Sequence, residues 1–307
     1  MRGDRGIALL NALIMVAAIA ALAAGLMLRA SASLDRAAHL QTSQQAALHL
    51  DAAVLLLDPV LRADWLRAPE IDHLNEPWAR QPIEAQIDRG TLTGQLSDLQ
   101  GRFNVNSLAN ATDGAAARAF ERLLRRLGLP VVLGSEIAGF VQPRGPVRAA
   151  DYVNRPVPVK VGTGAVDRVE ALRLVRGMTE AHYLGLAPYV AALPPGTPLN
   201  VNTAPAEVLA AVLPAANPAN IARLLDERAR APFTSPADFA ARAERLIHPR
   251  VIAQAEAAAG GFATRTRWFE ARFDLALDGR VQSRILTLER APLDGAVTIA
   301  HRRMILP

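Results

Sequence analysis

Residues Ile7–Leu28 read IALLNALIMVAAIAALAAGLML, 22 positions with no charge and a single polar side chain, Asn11. At about 1.5 Å per residue they make a helix of roughly 33 Å, long enough for a bilayer core of about 30 Å. The stretch reads as a membrane span. Ahead of it stands only MRGDRG, whose Arg2 and Arg5 mark the cytoplasmic side and whose last residue, Gly6, lies at the junction. A cleaved secretory signal has an apolar core of about 7 to 15 residues, shorter than this one. The small residues Ala30-Ser31-Ala32-Ser33 keep signal cleavage open as a reading, and an uncut single-pass anchor is another.

Beyond the span, the helical pattern runs on to Asp58-Pro59. Leu40, Ala47, Leu50, Val54 and Leu57 form one apolar stripe. The expectation is one helix from Ile7 to Leu57, ended by Pro59. Residues 60–90, punctuated by Pro69, Pro77 and Pro82, read as loops with short helical pieces, and Trp65 and Trp78 as packing anchors. Alternation at Leu92, Leu96 and Leu99, with Gly94 and Gly101 at turns or bulges, indicates two strands.

From Asp113 to about Ala258 the signals are those of short helices: Asp113, Asp167, Thr203, Asn217 and Ser235 stand where N-caps belong, and Gly128 and Gly177 stop two of the runs. The period then changes. Phe269, Ala271, Phe273, Leu275 and Leu277 share one face of a strand, Asp278-Gly279 marks a hairpin, and Val297-Thr298-Ile299 a further strand. Placing apolar residues opposite one another favours a bulged three-residue loop that includes Arg280, with Phe273 facing Ile285 and Leu277 facing Val281.

Composition removes several classes of function. The 307 residues contain no cysteine, which excludes disulfides, thiolate metal sites and cysteine nucleophiles. The formal charge is +5, and Lys160 is the only lysine. The arginines alternate with acids along helices, as in Asp226-Glu227-Arg228, which is the pattern of solvated helix faces and not of a nucleic-acid patch. His39, His49, His73, His182, His248 and His301 show no metal-ligand spacing, and neither a serine elbow nor a phosphate-binding glycine loop occurs. The sequence gives an enzyme reading little support.

A basic leader ending in glycine and followed at once by an apolar helix resembles the class III signal of type IV pilins and type II secretion pseudopilins. The resemblance implies that a prepilin peptidase cuts after Gly6 and methylates Ile7. Most such chains carry glutamate at the fifth mature position, where Asn11 stands here. A lone carboxylate in hydrocarbon is expensive unless paired, and its absence suits a subunit that needs no such partner. The phrase Asp98-Leu99-Gln100-Gly101-Arg102-Phe103-Asn104-Val105-Asn106 resembles a signature of the GspK minor pseudopilins, with a partial echo at Leu199-Asn200-Val201-Asn202-Thr203-Ala204. Asparagines spaced around one valine are suited to capping and bracing the chain as strand gives way to helix.

That family implies an α+β fold in which a pilin-like domain carries a large all-α, SAM-like or helix-hairpin-helix-like insertion. The segments are a leader (1–6), a transmembrane helix (7–28), a first pilin-like part (29–106), the helical insertion (107–258) and a closing pilin-like part (259–307). The role implied is assembly of a periplasmic pseudopilus, as a tip subunit held in the inner membrane with its C-terminal domain in the periplasm. Its implied partners are the minor pseudopilins GspI, GspJ and GspH, the prepilin peptidase and inner-membrane lipid, with no nucleic acid. Calcium is implied for the globular part without ligands being assigned. A membrane-anchored DNA receptor of competence type is the alternative, because Leu199 to Phe239 resembles helix-hairpin-helix repeats. Its hairpin, however, reads Pro214-Ala215-Ala216-Asn217-Pro218, without the glycine that lets backbone amides approach a phosphate.

The class III reading predicts a mature chain that begins at Ile7 with a methylated amine, measured by mass spectrometry of the protein from its host. Gly6→Asp should leave the leader attached. A wild-type chain still starting at Met1, or equal processing of both, contradicts it.

Overall fold

The computed structural model describes residues 4–110, 114–156, 158–159, 164–214 and 216–305, with side chains described from Leu10 onward. The first helix, α1 (Asp4–Leu55), spans 52 residues. Its alanine- and leucine-rich sequence has high helix propensity and no internal proline. Side chains stay exposed through Gln41, and continuous packing begins near Ala46, so the first two-thirds of the helix projects from the body. Among the described residues this is the one helix long and apolar enough to cross a membrane.

The expected stop at Pro59 is displaced. The chain turns at Leu56 and continues as α2 (Leu57–Arg67), with Pro59 in its first turn. Proline is tolerated there because the first helical amides have no intrahelical acceptor. The buried stripe consists of Ala46, Leu50, Ala53, Val54, Leu57 and Leu61, while Leu40 remains 66% exposed on the projecting part. A short α3 (Pro77–Arg80) then buries Trp78 edge-on against Phe269, with ring centroids 5.2 Å apart. The stretch read as loop also contains a strand, β1 (Ile83–Ile87), paired with β2 (Gly90–Asp98). Pro82 precedes β1, a position at a strand start where proline removes no ladder bond.

The helical region opens with β3 (Phe103–Asn104) and proceeds through α4 (Gly114–Arg126), α5 (Val132–Val141), α6 (Ala150–Val153) and α7 (Glu180–Leu186) to β4 (Val190–Ala191). A second run follows: β5 (Leu199–Asn200), α8 (Ala206–Val212), α9 (Pro218–Arg230), α10 (Pro236–Ala243), α11 (Pro249–Ala258) and β6 (Phe262–Ala263). Each run closes on itself, since β3 pairs in parallel with β4 and β5 in parallel with β6. Asn217 caps α9 by accepting from Asn220 N at 2.8 Å, and Ser235 caps α10 by accepting from Asp238 N at 3.1 Å. Asp113 lies outside the described residues. Two other expected caps differ: Val169–Leu174 is a 3-10 segment preceded by Arg168, not a helix capped by Asp167, and Pro205 occupies the position before α8 while the Thr203 hydroxyl turns to Asp98.

The chain ends in β7 (Trp268–Leu277), β8 (Arg280–Arg290) and β9 (Val297–Ile305), giving an antiparallel sheet of order β1-β2-β7-β8-β9. One face of this sheet packs on α1 and α2 in a core that includes Leu50, Leu57, Leu61, Trp78, Phe269, Phe273 and Leu286; the helical region has a core of its own. All five β7 residues expected on one face are buried. The β7–β8 hairpin overturns the expected register. Leu277 pairs with Arg280 and Phe273 with Arg284 across a two-residue loop, with φ of 50° at Asp278 and 75° at Gly279. Positive φ at both central residues is the requirement of a type I′ turn. The reason for the shift lies on the inward face of β8, which carries Arg284, Leu286, Leu288 and Arg290. Arg284 is 3% exposed and donates through Nη1 to Asp51 Oδ1 on α1 at 2.5 Å. Inward and apolar are therefore not the same set on this strand.

If Asp51 balances the Arg284 guanidinium, Asp51→Ala destabilises the full chain more than Arg284→Met, because it leaves a buried charge unpaired. Asp51 is half exposed, so the cost falls below the ~3–5 kcal/mol of a fully buried pair broken from one side. Thermal unfolding in detergent, followed by tryptophan fluorescence, measures the order; a reversed order contradicts this account.

Candidate functional site

The asparagines singled out in the sequence form two copies of one device. Asn104 Oδ1 accepts from Asn106 N at 3.1 Å, and Asn200 Oδ1 accepts from Asn202 N at 2.9 Å. Each first asparagine thereby holds the turn that ends its strand. The second asparagine of each pair grips both backbone groups of one distant residue. Asn106 accepts from Val166 N at 2.9 Å and donates to Val166 O at 2.8 Å. Asn202 accepts from Phe233 N at 2.8 Å and donates to Phe233 O at 2.9 Å. All four side chains are buried. A buried amide needs partners for both its oxygen and its NH2 group, and here the loops supply them. The chemistry is bracing, as the cap reading expects.

Asp98, at the end of β2, joins the two parts of the molecule. Its carboxylate accepts from Gln100 N at 2.6 Å, from Asn200 Nδ2 at 3.0 Å and from the Thr203 and Thr266 hydroxyls. Gln100 extends the junction, donating to Pro198 O at 3.1 Å and accepting from Arg267 N at 2.6 Å. Gly101 is required by crowding: a Cβ there would lie 2.6 Å from Thr203 Oγ1 and 2.9 Å from the Thr203 carbonyl carbon. Phe103 is buried against Phe120, with centroids 5.2 Å apart. The phrase from Asp98 to Asn106 is thus one polar seam where the sheet hands over to the helical region.

Next to this seam lies a cluster that no motif announced. Asp64 on α2, Asp72 and Glu76 bring carboxylate oxygens within 4.8 Å of one another. Arg290 stands among them. Its Nη2 donates to Asp72 Oδ1 at 2.6 Å and to Thr266 O at 2.8 Å, and its Nη1 lies 3.5 Å from Asp64 Oδ2. Glu76 Oε2 accepts from Trp78 Nε1 at 2.7 Å and from His73 N at 2.9 Å. Burial is the main force on these acids: it pushes Asp64 up to about 6, assisted by the Asp72 charge and opposed by Arg290, and pushes Glu76 up to about 7. Asp98 likewise rises to about 6 through burial, against the bonds it accepts. The three acids lie within thirteen residues of one another, but on a helix and the loop after it, and Arg290 is more than two hundred residues away. The available signals were Asp64 in register with the buried Leu57 and Leu61, and Arg290 at an inward strand position.

Calcium takes six to eight oxygen ligands. This cluster offers three carboxylates with a guanidinium already among them, and Asp72 also accepts from Thr266 N at 2.6 Å. That donor set does not fit a calcium ion, and among the described residues no other group of three acidic or histidine side chains gathers. Gly6 and Ile7 lie on α1 ahead of the described side chains, and Asn11 is exposed on its projecting part. These three are separate from the buried seam formed by Asp98, Gly101, Phe103, Asn104, Asn106, Asn200 and Asn202.

Comparison with known proteins matches residues 101–195 and 199–247 to two family models, both described as type II secretion system (T2SS), protein K. The type II secretion system protein K of Pseudomonas aeruginosa is 31% identical over 321 residues, an alignment covering 99% of this chain and 93% of that protein. The Klebsiella pneumoniae protein of the same description is 30% identical over 316 residues, covering 96% of this chain and 95% of its own length. Among solved structures, one chain of the GspK-GspI-GspJ complex from enterotoxigenic Escherichia coli superposes with a TM-score of 0.75 at 22% identity, covering 89% of this chain and all of that one. This last likeness concerns the fold.

The buried acids give stability a definite pH dependence. Their folded-state values lie above the ~4 of unfolded carboxyls, so between about pH 4 and 7 the folded chain binds more protons and loses stability as pH rises. Half-buried His73, held below its ordinary value by desolvation, acts in the opposite sense but is one group against three. The melting temperature of the full chain should fall from pH 5 to pH 8, and Glu76→Gln should flatten the decline. A rising profile, or one unchanged by the substitution, contradicts the assignment.

Proposed function

We propose that this chain, which belongs to the type II secretion system protein K family and is a minor pseudopilin of that system, stands at the tip of the periplasmic pseudopilus and supports protein export across the outer membrane. The observation that carries the reading is the projecting part of α1. From Leu10 to Leu28 its large apolar side chains, such as Leu13, Val16, Leu22 and Met27, are all more than half exposed, with no part of the chain's own body against them. Such a surface needs lipid before assembly and neighbouring helices after it.

Three further features support the proposal. The leader ending at Gly6 suits cleavage by a prepilin peptidase and methylation of Ile7, with the span held in the inner membrane and the C-terminal domain in the periplasm. Asn11 replaces the carboxylate that would pair with a neighbour's amine, so the chain forgoes one contact that a repeating subunit uses. The helical region adds bulk to the pilin-like sheet on a scale that obstructs a subunit stacked above it. The partners proposed are the minor pseudopilins GspI and GspJ, the two other names in the superposed complex, together with GspH. The role proposed is a structural one, in assembly. The competence-type DNA reading draws no support from the relatives' descriptions.

The test is assembly. The full chain in detergent, mixed with its GspI- and GspJ-type partners, should give a 1:1:1 complex by native mass spectrometry. Filaments made of this chain alone would overturn the tip assignment.

A further inference from the structure

Residues 68–76, between α2 and α3, cross from the sheet onto the second helical run and its return to β7. Hydrogen bonds hold them there. Asp72 N donates to Thr264 O at 2.8 Å, the Thr264 hydroxyl donates to Glu70 O at 3.2 Å, Arg265 Nη1 donates to Pro69 O at 3.2 Å, and Asn75 Nδ2 donates to Ala229 O, near the end of α9, at 3.3 Å. Asn200 Nδ2 and Thr266 N add bonds to Asp72. Apolar burial contributes little: within this segment the buried side chains are Asp72 and Glu76, while Ala68 and Ile71 are half-buried and Leu74 is 47% exposed. A segment docked by bonds rather than by apolar contact opens locally at less cost than the cores on either side of it.

The two buried side chains of this strap are also two of the three acids gathered at Arg290. With Asp64 they bring carboxylate oxygens within 4.8 Å of one another, against a single guanidinium. That guanidinium bonds to Asp72 and stands 3.5 Å from Asp64, whose Oδ2 is buried without a hydrogen-bond partner. Carboxylates this close in a buried site do not all ionise together, so the cluster retains protons that water would remove. We propose that residues 68–76 are a proton-controlled strap: while the cluster keeps its protons the strap is closed and the helical region is held in one orientation on the sheet, and their loss drives Asp72 and Glu76 out to water and lets that region turn. Burial holds Glu76 at about 7 and Asp64 at about 6, above the ~4 of unfolded carboxyls. A value raised in the closed form favours closure in full below the unfolded value and ceases to do so as pH rises through the closed one, so opening sets in between about pH 6 and 8. The other charged groups facing the cluster are Arg67, which favours the Asp64 anion, Asp98, at about 6 and in the field of Asp72, and His73, whose Nε2 is 3.9 Å from Glu76 Oε1. His73 is held below its ordinary value by burial and works in the opposite sense, as one group against the acids. The inference goes beyond the proposed tip role, and its test is independent of that role because it reads an opening inside one chain.

The experiment is hydrogen exchange on the full chain in a neutral detergent, read by mass spectrometry with rates corrected for the intrinsic pH dependence of amide exchange. Protection in residues 68–76 and 262–266 should fall ~10-fold or more from about pH 5.5 to about pH 8.5, against a smaller fall in β7. Glu76→Gln keeps an acceptor for Trp78 Nε1 and His73 N but carries no charge, so its strap should stay protected to within ~3-fold across that range. Asp64→Asn should also reduce the fall. Glu180→Gln, which breaks an exposed pair with Arg173 elsewhere, should keep the wild-type profile. Protection of the strap that is independent of pH, a fall of equal size in β7, or a wild-type profile in both Glu76→Gln and Asp64→Asn would each overturn the proposal.

Discussion

The Arg290 guanidinium is the constraint on which the architecture turns. It is 3% exposed at the end of β8 and holds Asp72 directly, with Asp64 of α2 at 3.5 Å and the Thr266 carbonyl as a further acceptor. A buried ion pair of this kind adds little net stability, because desolvation consumes most of the Coulombic gain; its effect is to make alternative arrangements costly. Asp72 in turn accepts from Thr266 N, and its carbonyl accepts from Asn200 Nδ2 at 3.3 Å. Through Asn200 the network reaches Asp98 and Thr203. One cation therefore ties together α2, the closing strands of the sheet and the entry to the second helical run.

This arrangement resolves a difficulty of the fold, which is that its two large apolar cores are joined only by a small cluster of Leu99, Ala191 and Leu193 with Trp268. A helical region with its own core has little hydrophobic reason to hold a fixed orientation on the sheet. The polar seam provides one. Directional bonds from Gln100, Asn200, Thr203 and Thr266 are each satisfied in a single geometry, and a displaced module would leave several buried acceptors empty, at ~1–3 kcal/mol apiece. The Asn106 and Asn202 clamps do the same inside each run, fixing loops that have few apolar residues.

What the sequence made legible follows from locality. The long apolar helix, the buried face of β7, the Asp278-Gly279 turn and the Asn217 and Ser235 caps depend on residues within a few positions of one another. So do the asparagine turns, although the distant halves of the clamps at Val166 and Phe233 had no local signal. The failures share a cause. The β8 register was assigned by matching apolar residues, but the inward face of that strand begins and ends in arginine, and Val281, which that register turned inward, is 50% exposed. Pro59 was taken as a stop because the signals for a first-turn proline and for a terminating one differ only in whether helix follows. The carboxylate cluster was invisible because its charges come from three segments and compensate only in space.

The two buried arginines of β8 also explain why that register had to win. Arg284 meets Asp51 and Arg290 meets Asp64, so the middle and the end of the strand are tied to different turns of the helical element α1–α2. Six residues of strand span about 20 Å at ~3.3 Å each. Thirteen residues of helix, from Asp51 to Asp64, also span about 20 Å at ~1.5 Å each. The two pairs close together only when strand and helix run side by side in the same sense, which fixes the helix axis along the sheet as well as its rotation. A slip of β8 by one residue would turn both arginines outward, leave Asp64 and Asp72 buried without a cation, and place Ile285 where Asp51 expects a charge. Apolar matching across the hairpin is weaker than that penalty, and the two-residue Asp278-Gly279 turn, with Asp278 in a left-handed conformation that aspartate tolerates, keeps both arginines tied.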